Sequence, residues 1–343
     1  MLICKQQVSA SSPVCQLQDT MLKIEELIPG SVNEFFTELK ALPFAGAQVG
    51  DLGDAWFCAE ASSLAYKEPA FIQNVDQKWA TDGVAWSVRA FESSAMQAIL
   101  LRSEEFAVLS FRGTRVASFP RFFEIPREPP LNLEDLGVDF RLLLTPSPTG
   151  GQIHAGFLSA FTTFWASHGN EIKEAIADRE LFLTGHSLGG ALSTVCASGV
   201  PFEPALPHVA GLYTFGSPKV GDRGFEQVFE AKGLPVYRFV HGFDLVTTIP
   251  PDRCGYVHVG SIITIQEDTG RIGRGSQHSL SDSLAHSVLR FPRLAFTVGA
   301  QLGHILHNRF NEVVVPNVSL IEHAPRQYVT KLAAAALQRR TLP

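Results

Sequence analysis

Thr184-Gly185-His186-Ser187-Leu188-Gly189-Gly190 follows the apolar run Leu181-Phe182-Leu183 and leads into Ala191-Leu192-Ser193-Thr194-Val195. That order reads as strand, sharp turn, helix, and Gly-x-Ser-x-Gly in that setting is a nucleophile elbow. Its composition follows from its chemistry. A serine on a strained turn leaves no room for bulky neighbours, so glycines stand two residues to either side. The turn exposes the hydroxyl. The helix behind it begins with N–H groups that lack intrahelical acceptors and with the positive end of a dipole, and both would stabilise an oxyanion formed beside Ser187.

The chain has 343 residues, enough for one large α/β domain with a substantial core. Its net charge of −6, without a basic run, argues against nucleic acid as a partner. Cys4, Cys15, Cys58, Cys196 and Cys254 are odd in number and widely spaced, with no Cys-x-x-Cys, so neither a disulfide scaffold nor a zinc site is expected. Residues 1–30 hold no apolar core behind a basic start, and no stretch is apolar enough to span a bilayer. The nearest, 288–306, carries Arg290, Arg293 and His304 and is interrupted by Pro292. A cytoplasmic or peripheral membrane location is the expectation.

Residues 1–50 read as a lead-in, with a short helix over 31–42. A single domain is expected over 51–337. Within it, 51–66 reads as a helix, 84–91 and 95–101 as a hairpin, and 105–111 as a buried strand. A long helix over 155–177 is expected to kink or break near Gly169. Strands follow at 181–184, 211–215, 236–240 and 256–265, and a last helix at 325–337. Alternating strands and helices imply a largely parallel, doubly wound α/β sheet with helices on both faces. Two stretches stand apart. Residues 115–135 are rich in Pro and Phe, and Phe119, Phe122 and Phe123 are candidates for a lid or an acyl contact. Residues 266–310 form a long apolar excursion that could be a second lid or a membrane-docking element.

Ser187 needs a base, and the base needs a carboxylate to orient it. An elbow of this kind takes its acid and then its base from further along the chain. Asp244 is the best-placed acid, in the loop after the strand at 236–240, because loops at the carboxyl ends of parallel strands share the elbow's edge. Asp222 and Asp252 fit less well. Six histidines follow Asp244: His258, His278, His286, His304, His307 and His323. Order alone does not choose among them. His323, just before the final helix, can fold back over the sheet edge, and His286 is the runner-up. One oxyanion donor would be the backbone N–H of Leu188. The other would come from Phe111-Arg112-Gly113-Thr114, where Thr114 offers both an N–H and a hydroxyl.

Taken in order, these motifs resemble the class 3, fungal-lipase-like branch of the α/β-hydrolases. The resemblance rests on Ala59 to Tyr66, Phe111 to Thr114, His154-Ala155-Gly156-Phe157, the elbow, Tyr213 to Asp222, Phe239 to Asp244 with Ile249-Pro250-Pro251, Tyr256 to Gly260, and Glu322-His323 with Tyr328. It implies Ser187 as nucleophile, Asp244 as acid, His323 as base, Thr114 and Leu188 as oxyanion donors, and a structural place for His258. It also implies hydrolysis of lipid carboxylic esters without metal or cofactor, with possible peripheral contact at a lipid interface. A phospholipase A1, a short-chain carboxylesterase and a non-catalytic lipid-binding scaffold are the other readings.

Overall fold

A computed structural model describes residues 28–46, 51–93, 96–114, 144–199, 206, 208–266, 270–275 and 323–341. Phe119, Phe122, Phe123 and His286 lie outside them, as do the whole of 115–135 and all of 276–310.

The central sheet has eight strands: β1 (Ser87–Glu92), β2 (Gln97–Arg102), β3 (Phe106–Phe111), β6 (Glu180–His186), β7 (Val209–Phe215), β9 (Val236–His241), β11 (Ser261–Ile265) and β12 (Ile272–Arg274), side by side in that order. From β3 to β11 all neighbours are parallel, while β1, β2 and β12 join antiparallel at the two edges. The parallel centre is buried on both faces, so β3 is apolar almost throughout and β6 and β9 are buried along nearly all their length. A small antiparallel sheet joins β10 (Tyr256–Val257), β8 (Gly221–Asp222), β5 (Gln152–His154) and β4 (Leu144–Pro146).

Helices cover both faces. Thr184 Oγ1 meets Ser62 Oγ at 3.1 Å, so it faces α1 (Leu52–Leu64). Its neighbour Gly185 points the other way, where a Cβ would run into the backbone of Gly189 in α4 (Leu188–Ala197). Successive strand residues alternate faces, so α1 and α4 lie on opposite sides of β6. The final helix, α6 (Pro325–Thr341), packs on α1, and α3 (Ala155–Ile176) packs on α4.

Several expectations need correction. Residues 31–42 hold a 3-10 turn, Val32–Glu34, capped by Ser31, but no α-helix. Phe36 has a φ of 55°, which ends any helix there and turns its ring into a cage of Trp56, Phe57 and Trp79. The long helix α3 is unbroken at Gly169. The glycine makes room instead, since a Cβ would lie 2.7 Å from Trp165 Nε1. The stretch 256–265 is two strands in two different sheets, β10 and β11, separated at Gly260 with φ +77°. Residues 272–274 of the supposed excursion are the edge strand β12. Two further helices were not anticipated: α2 (Pro69–Asp82), with Pro at its first position and Gly83 at its left-handed end, and α5 (Arg223–Glu230), capped by Asp222.

Two buried carboxyls on α1 hold the N-terminal segment down. Asp54 Oδ1 accepts from Ala45 N at 2.7 Å, and Glu60 accepts from the Phe36 backbone N–H. Burial pushes the Glu60 carboxyl up to about 8, the Phe36 bond opposing and the Glu38 charge adding to the effect. The folded value lies above the unfolded 4.5, so the folded protein keeps a proton that the unfolded chain releases. That stability is intact below the unfolded value and is lost as pH rises towards the folded one, at about 1.4 kcal/mol per pH unit. Glu60→Gln therefore gains stability over the native protein as pH rises from about 5 to about 8. Urea unfolding at the two ends of that window checks this, and parallel pH dependences would contradict it.

Candidate active site

Ser187 sits between β6 and α4 with φ 58° and ψ −129°, a conformation costly for any residue bearing a Cβ. The fold over-determines it. Ser187 N–H donates to Phe215 O at 2.9 Å, and Ser187 O accepts from Gly190 N–H at 2.9 Å. A side chain at Gly189 would overlap the Phe111 carbonyl, and one at Gly190 would lie 2.7 Å from Ser217 Cβ. The elbow thus packs backbone to backbone against the ends of β3 and β7. Ser187 Oγ is buried and makes no hydrogen bond among the described residues.

Asp244 follows β9 through a turn at Gly242 and is 1% exposed. Three donors meet its carboxylate. Val246 N–H donates to Oδ1 at 3.0 Å, while Tyr328 Oη–H and His323 Nδ1–H donate to Oδ2 at 2.6 and 2.8 Å. Because a carboxylate only accepts, the His323 hydrogen is on Nδ1 and its Nε2 carries the lone pair in the neutral ring. Tyr328 Oη in turn accepts from His241 N–H at 3.2 Å. Gly216, with φ +59°, lies against the pair. A Cβ there would come within 2.6 Å of Asp244 Oδ2 and 2.8 Å of His323 Nδ1.

The exit of β3 runs beside the elbow, Phe111 pairing with Gly185. A Cβ on Gly113 would lie 2.8 Å from the His186 carbonyl, and Thr114 follows directly. The Thr114 hydroxyl oxygen is buried and without a hydrogen-bond partner among the described residues. Arg112 is fixed by Gln97, whose Oε1 accepts from Arg112 Nη1 at 2.8 Å. The Gln97 amide donates to the Ala65 and Lys67 carbonyls at the end of α1. Leu188 is the first residue of α4, where an N–H has no intrahelical acceptor.

The loop behind Asp244 is locked from two sides. Lys219 Nζ, 4% exposed, donates to the Thr248 and Pro250 carbonyls at 2.8 and 3.0 Å and pairs with Asp252 at 2.9 Å. His258 Nε2 donates to Thr247 O at 2.7 Å. Burial holds its ring well below the usual histidine range, with Arg238 and Lys219 adding to the effect. His154 caps α3 instead, its Nδ1 accepting from Gly156 and Phe157 N–H. Burial pushes it down to about 3.

The structure therefore brings Ser187, Leu188, Thr114, Asp244 and His323 to one edge of the parallel sheet. Asp222 caps α5 and Asp252 pairs with Lys219, so neither competes for the place of the acid. Among the described residues no group of three His, Cys, Asp or Glu could hold a metal ion, and no helix is long and apolar enough to cross a membrane. The sequence reading gave no role to Tyr328, Gly216 or Lys219. Tyr328 carried the only available signal, a tyrosine within the first turns of the helix that follows His323.

Tyr328→Phe removes one donor to a buried carboxylate. The expected cost is about 1.5–3 kcal/mol in urea unfolding. A loss below about 0.5 kcal/mol, the level of an ordinary surface change, would mean that the bond contributes nothing.

Residues 108–254 match the family model of the class 3 lipases, a span that runs from β3 through the elbow and Asp244. A lipase of Rhizopus niveus is 26% identical over 246 residues, 69% of this chain and 57% of that protein, so the chain spans little more than half the length of this relative. A chloroplastic phospholipase A(1), DAD1 of Arabidopsis thaliana, is 32% identical over 152 residues, 42% of this chain and 33% of that one. Among solved structures, lipase II from Rhizopus niveus superposes with a TM-score of 0.52 at 25% identity, covering 64% of this chain and 83% of its own. The fold is that of the α/β-hydrolases. The matched span covers both the elbow and the acid loop, and the fold is shared with a solved lipase, so the chain is similar to the class 3 lipases over that span.

Proposed function

We propose that the protein is a serine hydrolase of lipid carboxylic esters, with Ser187 as nucleophile, His323 as general base and Asp244 as the carboxylate that orients it. The observation that carries this is the bond from His323 Nδ1 to Asp244 Oδ2, buried at both ends. It leaves Nε2 as the ring's basic atom on the side chain that a Ser-His-Asp mechanism requires.

In the first step His323 Nε2 takes the Ser187 Oγ proton as Oγ bonds to the ester carbonyl carbon. The carbonyl oxygen becomes an oxyanion, held by Leu188 N–H and by Thr114 through its N–H and hydroxyl. The C–O bond to the alcohol then breaks, and His323 gives that oxygen the proton. Water repeats the sequence on the acyl-enzyme and frees the acid. Asp244 stays a carboxylate throughout and stabilises the imidazolium. No metal or organic cofactor enters these steps.

The similarity to class 3 lipases and the Phe-rich sequence favour a water-insoluble ester, met by peripheral contact with a lipid interface. A phospholipid cleaved as by a phospholipase A1 is the second reading, supported by the resemblance to DAD1.

Hydrolysis of p-nitrophenyl esters of increasing chain length, below and above their solubility limit, tests the proposal. Ser187→Ala is expected to remove turnover, a fall of about 10⁶ in kcat. Near-native turnover in that variant would overturn the mechanism, and rates highest for short soluble esters would overturn the lipid substrate. Thr114→Val keeps the shape and the N–H but not the hydroxyl. It should lower kcat by roughly 10²–10³ with little change in KM. An unchanged kcat would remove the hydroxyl from the oxyanion site.

A further inference from the structure

His186, the residue before Ser187 in the elbow, joins a buried chain of three polar groups. Tyr66 Oη lies 2.8 Å from His186 Nδ1, and His186 Nε2 lies 2.6 Å from the main-chain carbonyl oxygen of His323. The direction of both bonds is fixed. A carbonyl only accepts, so Nε2 carries the hydrogen, Nδ1 is the acceptor and Tyr66 Oη–H is the donor. The two imidazoles also lie against each other, tilted, with centroids 4.4 Å apart and planes inclined at 39°. Tyr66 follows the end of the first helix, His186 ends the central strand and His323 precedes the last helix. Three elements far apart in sequence thus meet on one ring, which is 1% exposed.

We infer that His186, held by Tyr66, is a positioning residue for the reaction proposed above. It fixes the main chain of His323, and so the place of its imidazole relative to Ser187 Oγ. The inference rests on that reading of the site. Asp244 and Tyr328 orient the His323 side chain, but a bond to a side chain does not set where the backbone that bears it lies. The His186 bond to the His323 carbonyl ties the backbone of the base directly to the elbow that carries the nucleophile.

The same contact imposes a protonation requirement. When His323 accepts the Ser187 proton, a positive ring forms against His186. A second positive charge there would oppose it, and a protonated His186 would also turn a donor towards the Tyr66 hydroxyl. Burial holds His186 well below the usual histidine range, and the neighbouring His323 charge pushes the same way. The other groups facing it are the Tyr328 ring at 5.8 Å and, through Tyr66, the Arg112 guanidinium. His186 therefore stays neutral while His323 cycles, and the acid limb of kcat/KM reports one ionisation.

The test compares steady-state ester hydrolysis of the full chain with four variants. His186→Leu removes both bonds, and His186→Asn keeps the acceptor for Tyr66 but loses the reach to His323. Each should lower kcat by about 100-fold with KM within about twofold, the signature of misplaced but intact machinery. His186→Gln returns an N–H at the distance of Nε2 and should recover kcat to within about tenfold of the native rate. Tyr66→Phe should fall between them. Native-like kcat in His186→Leu, with Ser187→Ala inactive, would overturn the positioning role and leave the serine mechanism standing. Activity independent of Ser187 would overturn the mechanism itself. If His186→Leu does not fold, imidazole ¹⁵N NMR of the native protein decides. Nε2-protonated, Nδ1-unprotonated His186 from about pH 5 to about 9 is expected, and the opposite tautomer or a protonating ring refutes the inference.

Discussion

The close backbone approach at the elbow is the constraint on which the rest of the site depends. Ser187 occupies a strained φ, and what keeps it there is the absence of side chains around it. Gly189 lets the first turn of α4 lie against the Phe111 carbonyl, and Gly190 lets it lie against Ser217. One contact therefore sets two distances together: that from Ser187 to the helix N-terminus, and that from Ser187 to the Thr114 segment leaving β3. Gly216 repeats the device on the other side, where the missing Cβ is the space that the Asp244–His323 pair fills. Three separate strand ends meet within hydrogen-bond distance because each has given up a side chain at the point of approach.

So much buried polarity has to be satisfied to be tolerated, since an unpaired buried group costs about 1–3 kcal/mol. Most of it is paired with backbone. Gln97 joins the Arg112 turn to the end of α1, Lys219 gathers two carbonyls of the acid loop, and Ser193 Oγ bonds to the Thr184 and Gly189 carbonyls under the elbow. Against that background the few buried hydroxyls without partners stand out. Two of them, on Ser187 and Thr114, lie where a substrate's atoms would supply the missing bonds.

The parallel sheet and the elbow were legible because their signals are local: an apolar run, a glycine spacing, a helix-forming stretch. What was not legible is informative in the same terms. The short helix expected over 31–42 gives way because Phe36 gains more from the cage of Trp56, Phe57 and Trp79 than from helical geometry. That is a tertiary preference without a sequence period. Gly169 reads as a breaker but marks a place where an indole lies on the helix. The apolar stretch 256–265 holds two strands because the turn at Gly260 hands the chain from one sheet to the other. α2 was available to the same rules, since Pro69 and Gly83 bracket it as helix starts and stops do.

The histidines show most clearly where sequence order ends and partner chemistry begins. Besides buried His241, four of them surround the site: His154 and His186, both buried, half-buried His258, and buried His323. The first three bond with backbone. His154 caps a helix through a ring nitrogen, and His186 and His258 each give Nε2–H to a carbonyl. A ring whose Nε2 is committed to a carbonyl cannot accept a proton there, and burial disfavours the charged form of all three. His323 alone bonds through Nδ1 to a carboxylate. That single difference in partner leaves Nε2 as the basic atom and supplies the negative charge that an imidazolium needs. The proposed general base is the histidine whose neighbour can stabilise its charged form, and no spacing rule along the chain carries that information.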